Sequence, residues 1–179
     1  LGIDPGTNTL GYAIIEKKGN AFIIIDVGVH KTPTSATHPE KLRSIFDAIT
    51  SLIVTHKPEE CAIESPFFGK NVQSMLKLGR AQGVAMAAAI AQGLPVEEYA
   101  PKKIKMSITG SGNASKEQVA AMLCSMVKFD RSSLGLDATD AMGAAICHLN
   151  QSGLSANAGT SYSGWKQFID QNPARAKKS

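Results

Sequence analysis

Apolar and polar residues alternate over residues 1–30 in the way expected of antiparallel strands. An apolar start ends at Asp4, a second apolar run covers residues 9–16, and the turn at 17–20 leads into a third run at 21–30. Runs of this kind, bounded by Gly, Pro and Asn, are typical of strands joined by tight turns. We therefore predict a three-stranded antiparallel meander.

Helical periodicity follows a loop rich in Thr, Ser and Pro. Between Pro39 and His56 apolar residues recur at spacings of three and four, which indicates an amphipathic helix that ends at Lys57-Pro58. Further helices are predicted at 71–93, 101–110, 115–127 and 136–150, with Ser115 as a cap and Gln118 close to capping-box spacing. Short strands are predicted at 61–64 and 94–100. This order of elements predicts an α/β layout with a mixed sheet.

Composition supports one globular domain. The chain has 179 residues, of which 43% are hydrophobic and 19% charged, values that argue against disordered and fibrous classes. We expect a domain over 1–150 and a polar, mobile tail over 151–179, with a helical turn around Trp165 and Phe168. Because the chain begins at Leu1, we also expect that a few residues precede it.

Net charge and cysteine content indicate which partners and which cellular compartment are expected. The net charge of +4 permits a polyanionic partner without requiring one. No stretch is long and apolar enough to span a membrane, and no signal peptide opens the chain. The three cysteines are odd in number, scattered and set among apolar residues, which favours buried thiols in a reducing compartment. A cytoplasmic protein without a membrane partner is expected.

Four acidic residues stand where carboxylates have chemical consequences. Asp4 and Glu64 each end a short apolar strand, and if these strands are parallel neighbours their ends lie about 4.8 Å apart. Asp137 and Asp140 are three residues apart near a helix start, on one face. Carboxylates brought together repel unless cations lie between them, and two Mg²⁺ or Mn²⁺ ions held this way can hydrolyse a phosphodiester.

Three of the four acids also have a structural interpretation. Asp4 before Pro-Gly fits a turn, and Asp137 and Asp140 fit the positive end of a helix dipole. Glu64 has no capping role. The hypothesis therefore depends on the joint pattern.

Three segments together resemble the RuvC family of bacterial Holliday-junction resolvases. They are GIDPGTNTLGYAII, AIESPFFGKN with the following KLGRAQGV, and DATDAMGAAICH, and they match in order and spacing over residues 1–150. The resemblance implies an RNase H-like α/β fold whose mixed five-stranded sheet, an antiparallel meander plus parallel strands, is flanked by helices. It also implies a homodimer that makes paired symmetric nicks in four-way DNA junctions, in recombination and repair.

The resemblance also assigns site residues and partners. The resemblance implies that Asp4, Glu64, Asp137 and Asp140 are the catalytic and metal-binding residues. It also implies two Mg²⁺ ions per active site, for which Mn²⁺ can substitute, and products with 5′-phosphate ends. A branch-migration complex of the RuvA/RuvB type is implied as a partner.

Aromatic and basic residues are the candidate DNA contacts. By resemblance Phe67 is a wedge against junction bases, although the Phe-Phe pair would also fit core packing. The other candidates are Phe68, Lys70, Arg80, Lys105 and Lys116. Lysines are usually solvated surface residues, and the Gly- and Ala-rich stretch 78–91 fits either the family's dimer contact or burial against the sheet.

Three alternatives are weighed against this hypothesis. A sugar-kinase or actin-type ATPase shares a GIDPGT-like loop, but it needs a second phosphate loop and more than twice this length. A junction-binding protein without cleavage would follow from the loss of an acid, and all four are present. Another RNase H-like nuclease would use the same chemistry on RNA–DNA hybrids or other branched DNA.

Overall fold

The computed structural model describes residues 1–66, 71–127, 129 and 135–155, without the side chains of 152–155. Five strands and five helices lie in this part of the chain. The strands are β1 (Gly2–Asp4), β2 (Thr9–Lys18), β3 (Ala21–Lys31), β4 (Cys61–Glu64) and β5 (Val96–Tyr99). The helices are α1 (His38–His56), α2 (Val72–Ala91), α3 (Pro101–Thr109), α4 (Lys116–Met126) and α5 (Leu136–Ser155).

The strands form one mixed five-stranded sheet in the order β3-β2-β1-β4-β5. β1, β2 and β3 pair antiparallel, and β2 and β3 are joined by a tight turn at Gly19, whose φ is 60°. β1 pairs parallel with β4, and β4 pairs parallel with β5. The predicted fold class, a meander followed by parallel strands, is confirmed.

Helices cover both faces of the sheet. Ile3, Leu10 and Ile63 are fully buried in a core that includes apolar residues of α1 and α2. Ala13 and Ala62 belong to a second core with residues of α3, α4 and α5. Side chains of successive strand residues point to opposite faces, so the sheet separates the two cores.

Local signals define most helix boundaries as predicted. Ser115 and Gln118 form a capping box at the start of α4. α1 is capped at Thr37 and ends at Lys57, whose φ of 48° is left-handed and stops the helix.

α5 extends beyond its predicted end near residue 150, to Ser155. Within this extension Gln151 Nε2 donates to Cys147 Sγ, 3.3 Å away and one turn earlier. The predicted boundary at 150 therefore falls inside a helix. Residues 156–179, which hold most of the predicted tail, lie outside the described residues.

Cys61 and Cys147 are buried and Cys124 is partly exposed, and none forms a disulfide. Within the described ranges, no helix combines the length and apolar character needed to cross a membrane.

Candidate active site

Asp4 and Glu64 end neighbouring parallel strands at the same edge of the sheet. Ile3 is in register with Ile63, so the two acids are the next pair along β1 and β4. Adjacent strands are about 4.8 Å apart, which brings both carboxylates to one place. Both side chains are only partly exposed. The prediction that these strand ends meet is confirmed.

Two strand glycines let α5 lie directly on the sheet above Asp4. Gly11 is the cross-strand partner of Asp4, and a Cβ added to it would overlap the backbone carbonyl oxygen of Asp137. A Cβ on Gly2 would overlap the carbonyl of Ala141 and lie 2.8 Å from Ala145 Cβ. The start of α5 therefore reaches the strand backbone without intervening side chains.

The first turn of α5 places Asp137 and Asp140 near the strand-end acids. Burial, and after it the charges of Asp140 and Asp137, raise the pKa of Asp4 to about 7. Burial, and after it the charges of Asp4 and Asp140, raise the pKa of Glu64 to about 8. Carboxylates from three separate elements thus share one electrostatic environment, which a cation would stabilise.

Lys116 supplies part of the positive charge that stabilises these carboxylates. As the first residue of α4, it forms an ion pair with Asp140 in which Nζ lies 2.6 Å from Oδ2. That hydrogen bond, together with the charges of Asp140, Asp4 and Glu64, raises the pKa of Lys116. Lys105 of α3 also stabilises the carboxylates, because its positive charge lowers the pKa of Glu64.

A cleft of about 490 Å³ opens beside the acids. Glu64 and Asp140 line it from one side, and Lys105 and Lys116 line it from α3 and α4. A phosphate in this cleft would be within reach of both lysines and two of the acids. The cleft therefore combines carboxylates that can hold a divalent cation with lysines that can stabilise charge on a phosphate.

The metal site is not already assembled. In the part of the chain that the structure describes, no three His, Cys, Asp or Glu residues are arranged so that they could hold an ion. The donors nevertheless fit a hard divalent cation, since all four are carboxylates and the pKa of Asp4 and Glu64 is raised by burial beside other acids. Mg²⁺ usually binds through one or two carboxylates, with waters and substrate phosphates completing its shell.

The remaining predicted DNA contacts are not among the described residues that line this cleft. Arg80 is exposed on α2 and is not among the cleft-lining residues that the structure describes. Phe67, Phe68 and Lys70 lie outside the described residues.

Sequence reasoning missed Gly2 and Gly11 as determinants of the site. Their signal was present, because a glycine inside an apolar strand marks a close approach of another backbone. Which backbone approaches them depends on the tertiary packing of α5.

Comparison with known proteins identifies the family. A family model described as crossover junction endodeoxyribonuclease RuvC matches residues 1–148. The chain belongs to the RuvC family. A RuvC of Cytophaga hutchinsonii is 55% identical over 99% of this chain and 87% of that protein. A RuvC of Christiangramia forsetii is 50% identical over 99% of this chain and 92% of its own length.

A solved RuvC structure gives the same result. The T. thermophilus RuvC in complex with a Holliday junction substrate matches with a TM-score of 0.80 and 28% identity, covering 86% of this chain and 94% of that one. RuvC membership confirms the family predicted from the three segments and makes the chain a metal-dependent nuclease. RuvC membership argues against the sugar-kinase or actin-type ATPase alternative.

The raised pKa values predict how stability depends on pH. Native Asp4 and Glu64 keep their protons up to about pH 7 and 8, so below pH 8 the native state binds more protons than the unfolded state. The contribution of these two groups to stability without metal is therefore fully present below about pH 4, falls as pH rises, and is lost above about pH 8. We expect the melting temperature in EDTA to drop by at least about 5 °C between pH 5 and 8.5.

Thermal melts of the chain and of an Asp4→Asn/Glu64→Gln variant provide the check. The variant lacks both titrating groups, so it should lose most of this pH slope. Equal slopes in the two proteins would contradict the assignment.

Proposed function

We propose that this chain resolves four-way (Holliday) DNA junctions as a structure-specific endonuclease, making paired symmetric nicks in recombination and repair. The observation that carries the proposal is the meeting of Asp4 and Glu64 beneath the first turn of α5. RuvC membership supports the substrate class. We assign the nuclease domain to residues 1–150 and place the protein in the cytoplasm.

Asp4, Glu64, Asp137 and Asp140 would hold two Mg²⁺ ions, with Mn²⁺ as a substitute. When bound, these ions supply Lewis-acid stabilisation of the phosphate and help to activate water. Water attacks the phosphorus in line and the 3′ oxygen leaves, which yields 5′-phosphate ends.

Lys116 and Lys105 contribute the chain's own positive charge. Lys116 already lies against Asp140, and both lysines line the cleft. Charge that develops on the phosphate oxygens is stabilised by such preorganised donors. We propose both as phosphate contacts, with Lys70 and Arg80 following the DNA backbone farther away.

A side-by-side cleavage assay tests the proposed function. The chain is incubated with a synthetic four-way junction, a linear duplex and an RNA–DNA hybrid, each with Mg²⁺ and with EDTA. We expect paired nicks with 5′-phosphate ends in the junction alone, and only with Mg²⁺. Preferential cutting of the hybrid would instead support another RNase H-like nuclease.

Phe67 is proposed as the wedge that stacks on a junction base, with Phe68 beside it. Stacking of a base on an aromatic side chain contributes about 1–3 kcal/mol. Phe67→Ala should therefore reduce junction cleavage about tenfold or more while changing affinity for linear duplex little, as measured by single-turnover cleavage and filter binding. Unchanged cleavage would contradict a DNA-contacting role.

A homodimer is proposed through the outer face of α2. Among the described residues this face is left open to solvent: Leu76 and Ile90 are 55% and 60% exposed. A Cβ added to Gly79 or Gly83 would meet no heavy atom within 4 Å among the described residues. Small residues between exposed apolar ones allow a second helix to approach closely. Two active sites in a symmetric dimer would match the symmetry of a four-way junction, and a RuvA/RuvB-type complex remains a proposed partner.

Ile90→Glu should dissociate this dimer. A carboxylate within an apolar helix contact is desolvated without a partner, which costs more than a small interface tolerates. We expect light scattering to report a monomer for Ile90→Glu and a dimer for the control Val54→Glu, since Val54 is equally exposed but lies on α1. A dimer in both variants would place the interface elsewhere.

A further inference from the structure

A second polar groove lies at the catalytic edge of the sheet, on the face opposite the cleft. The cleft is lined from α3, α4 and α5, whereas this groove of about 480 Å³ lies between the β1–β2 loop, the start of α1 and the start of α2. Its lining residues are Thr7, Asn8, Ala36, His38, Lys41, Ser74, Lys77 and Leu78. We propose that this groove, the flanking groove, binds two neighbouring backbone phosphates, one at each of its two lysines, in the DNA strand that crosses the acidic edge.

The connection to the acids is short. Thr7 is three residues beyond Asp4, so its Cα lies at most about 11 Å from that of Asp4, given ~3.8 Å between successive Cα atoms. The opposite wall, at Ser74 and Lys77, belongs to the segment that follows Glu64. The two segments leaving the catalytic strands thus form the flanking groove, and a strand placed over the acids would pass it.

The charge of the groove suits a phosphate. Lys41 and Lys77 both line it, and none of its described lining residues is acidic. Within the described ranges neither lysine forms an ion pair with a carboxylate. Lys41 Nζ instead donates to Asn8 Oδ1 at 2.7 Å. Two positive charges without acidic partners beside a nuclease site are available to contact DNA phosphates.

The polar groups of the groove are partly unsatisfied. Nε2 of His38 is shielded from solvent and has no hydrogen-bond partner among the described residues. Ser74 adds a hydroxyl at the first turn of α2, where helix N–H groups favour an anion. Buried polar atoms normally have partners, so this nitrogen indicates hydrogen-bonding capacity that the folded chain alone does not use.

The β1–β2 wall is held rigidly. Thr32, which is only 7% exposed, donates through Oγ1 to the carbonyl of Thr7 at 2.7 Å, and its backbone N–H donates to the carbonyl of Asn8 at 3.0 Å. A preorganised wall loses little entropy when a phosphate binds. The flanking groove is therefore built to position the strand.

Salt dependence of binding tests the lysines. Junction affinity is measured in EDTA between 0.05 and 0.2 M salt for the full chain and for Lys41→Gln/Lys77→Gln. Each lost phosphate contact lowers the slope of log K against log salt by about 0.9, so we expect the slope to fall by about two and affinity to fall about tenfold at 0.1 M salt. The matched control, Lys17→Gln/Lys18→Gln at the β2–β3 hairpin, should leave the slope unchanged.

Neutral phosphates in the junction locate the contact. Single methylphosphonate replacements beside the cleavage site should include one or two that weaken binding several-fold in the full chain and have no further effect in the Lys41→Gln/Lys77→Gln variant. Equal weakening of both proteins at every position, or an unchanged salt slope, would overturn the inference. Lys77→Gln alone, at an exposed helix position, should still lower the slope by about one.

The inference rests on the proposed junction-cutting function, and the experiment separates the two. A chain that neither binds nor cuts the junction removes the proposed function and the groove assignment together. A chain that cuts the junction in Mg²⁺, but whose double variant keeps the full salt slope, overturns only the flanking groove.

Discussion

Asp4→Asn should abolish junction cleavage and leave junction binding intact. The substitution keeps the shape of a partly buried side chain at the end of β1 but removes a charge that would hold the metal ions. Losing several kcal/mol of transition-state stabilisation lowers the single-turnover rate by at least about 10³-fold. Affinity depends mainly on basic residues, so it should stay the same or rise slightly as a negative charge is lost.

The control is Asp47→Asn, which removes an exposed carboxylate of α1 whose contact is a surface ion pair with Arg43 at 3.3 Å. This variant should cut at the rate of the unmodified chain. Melts in EDTA and in Mg²⁺ add a second readout, since Asp4→Asn should also reduce the stabilisation by Mg²⁺. A normal cleavage rate for Asp4→Asn would remove Asp4 from the proposed mechanism.

Gly11→Ala should also impair cleavage strongly, although the residue carries no functional group. Its Cβ would overlap the carbonyl oxygen of Asp137, so the start of α5 must move away from the sheet. Asp137 and Asp140 move with it, and a displacement of about 1 Å at such a site can reduce the rate about 10²-fold. Overpacking of this kind destabilises the fold by about 1–3 kcal/mol.

Gly28→Ala provides the comparison, because it changes a glycine of β3 whose added Cβ would lie 2.8 Å from the hydroxyl oxygen of Tyr12. A side-chain end can shift, whereas a helix backbone cannot shift without moving its neighbours. Gly28→Ala should therefore keep its cleavage rate, measured below the melting temperature of each variant. Full activity of Gly11→Ala would show that the position of α5 does not control the site.

Much of the fold followed from local patterns. The strand end at Asp4, the capping box at Ser115 and the helix stop at Lys57 depend on residues adjacent in the chain, and each was predicted correctly. α5 was predicted too short, because the polar and small residues that follow residue 150 do not continue the apolar pattern of the helix.

Of the candidate site, too, only the features that depend on local patterns could be predicted. That Asp4 and Glu64 end strands, and that Asp137 and Asp140 share a helix face, could be predicted because strand and helix periodicities are local. The ion pair between Lys116 and Asp140 was not predicted, since it depends on how α4 packs beside α5. Phe67 stays a prediction from the sequence.

The sequence by itself determined the elements, the acids at their ends and, through three segments, the RuvC family. Tertiary structure alone decided that α5 rests on Gly2 and Gly11, and that Lys41 and Lys77 face one groove from different helices. The physical reason is the separation along the chain of the residues that interact. Backbone conformation and capping respond to near neighbours in the chain, whereas overlap between α5 and the sheet, and the meeting of charges, depend on contacts between residues far apart in sequence.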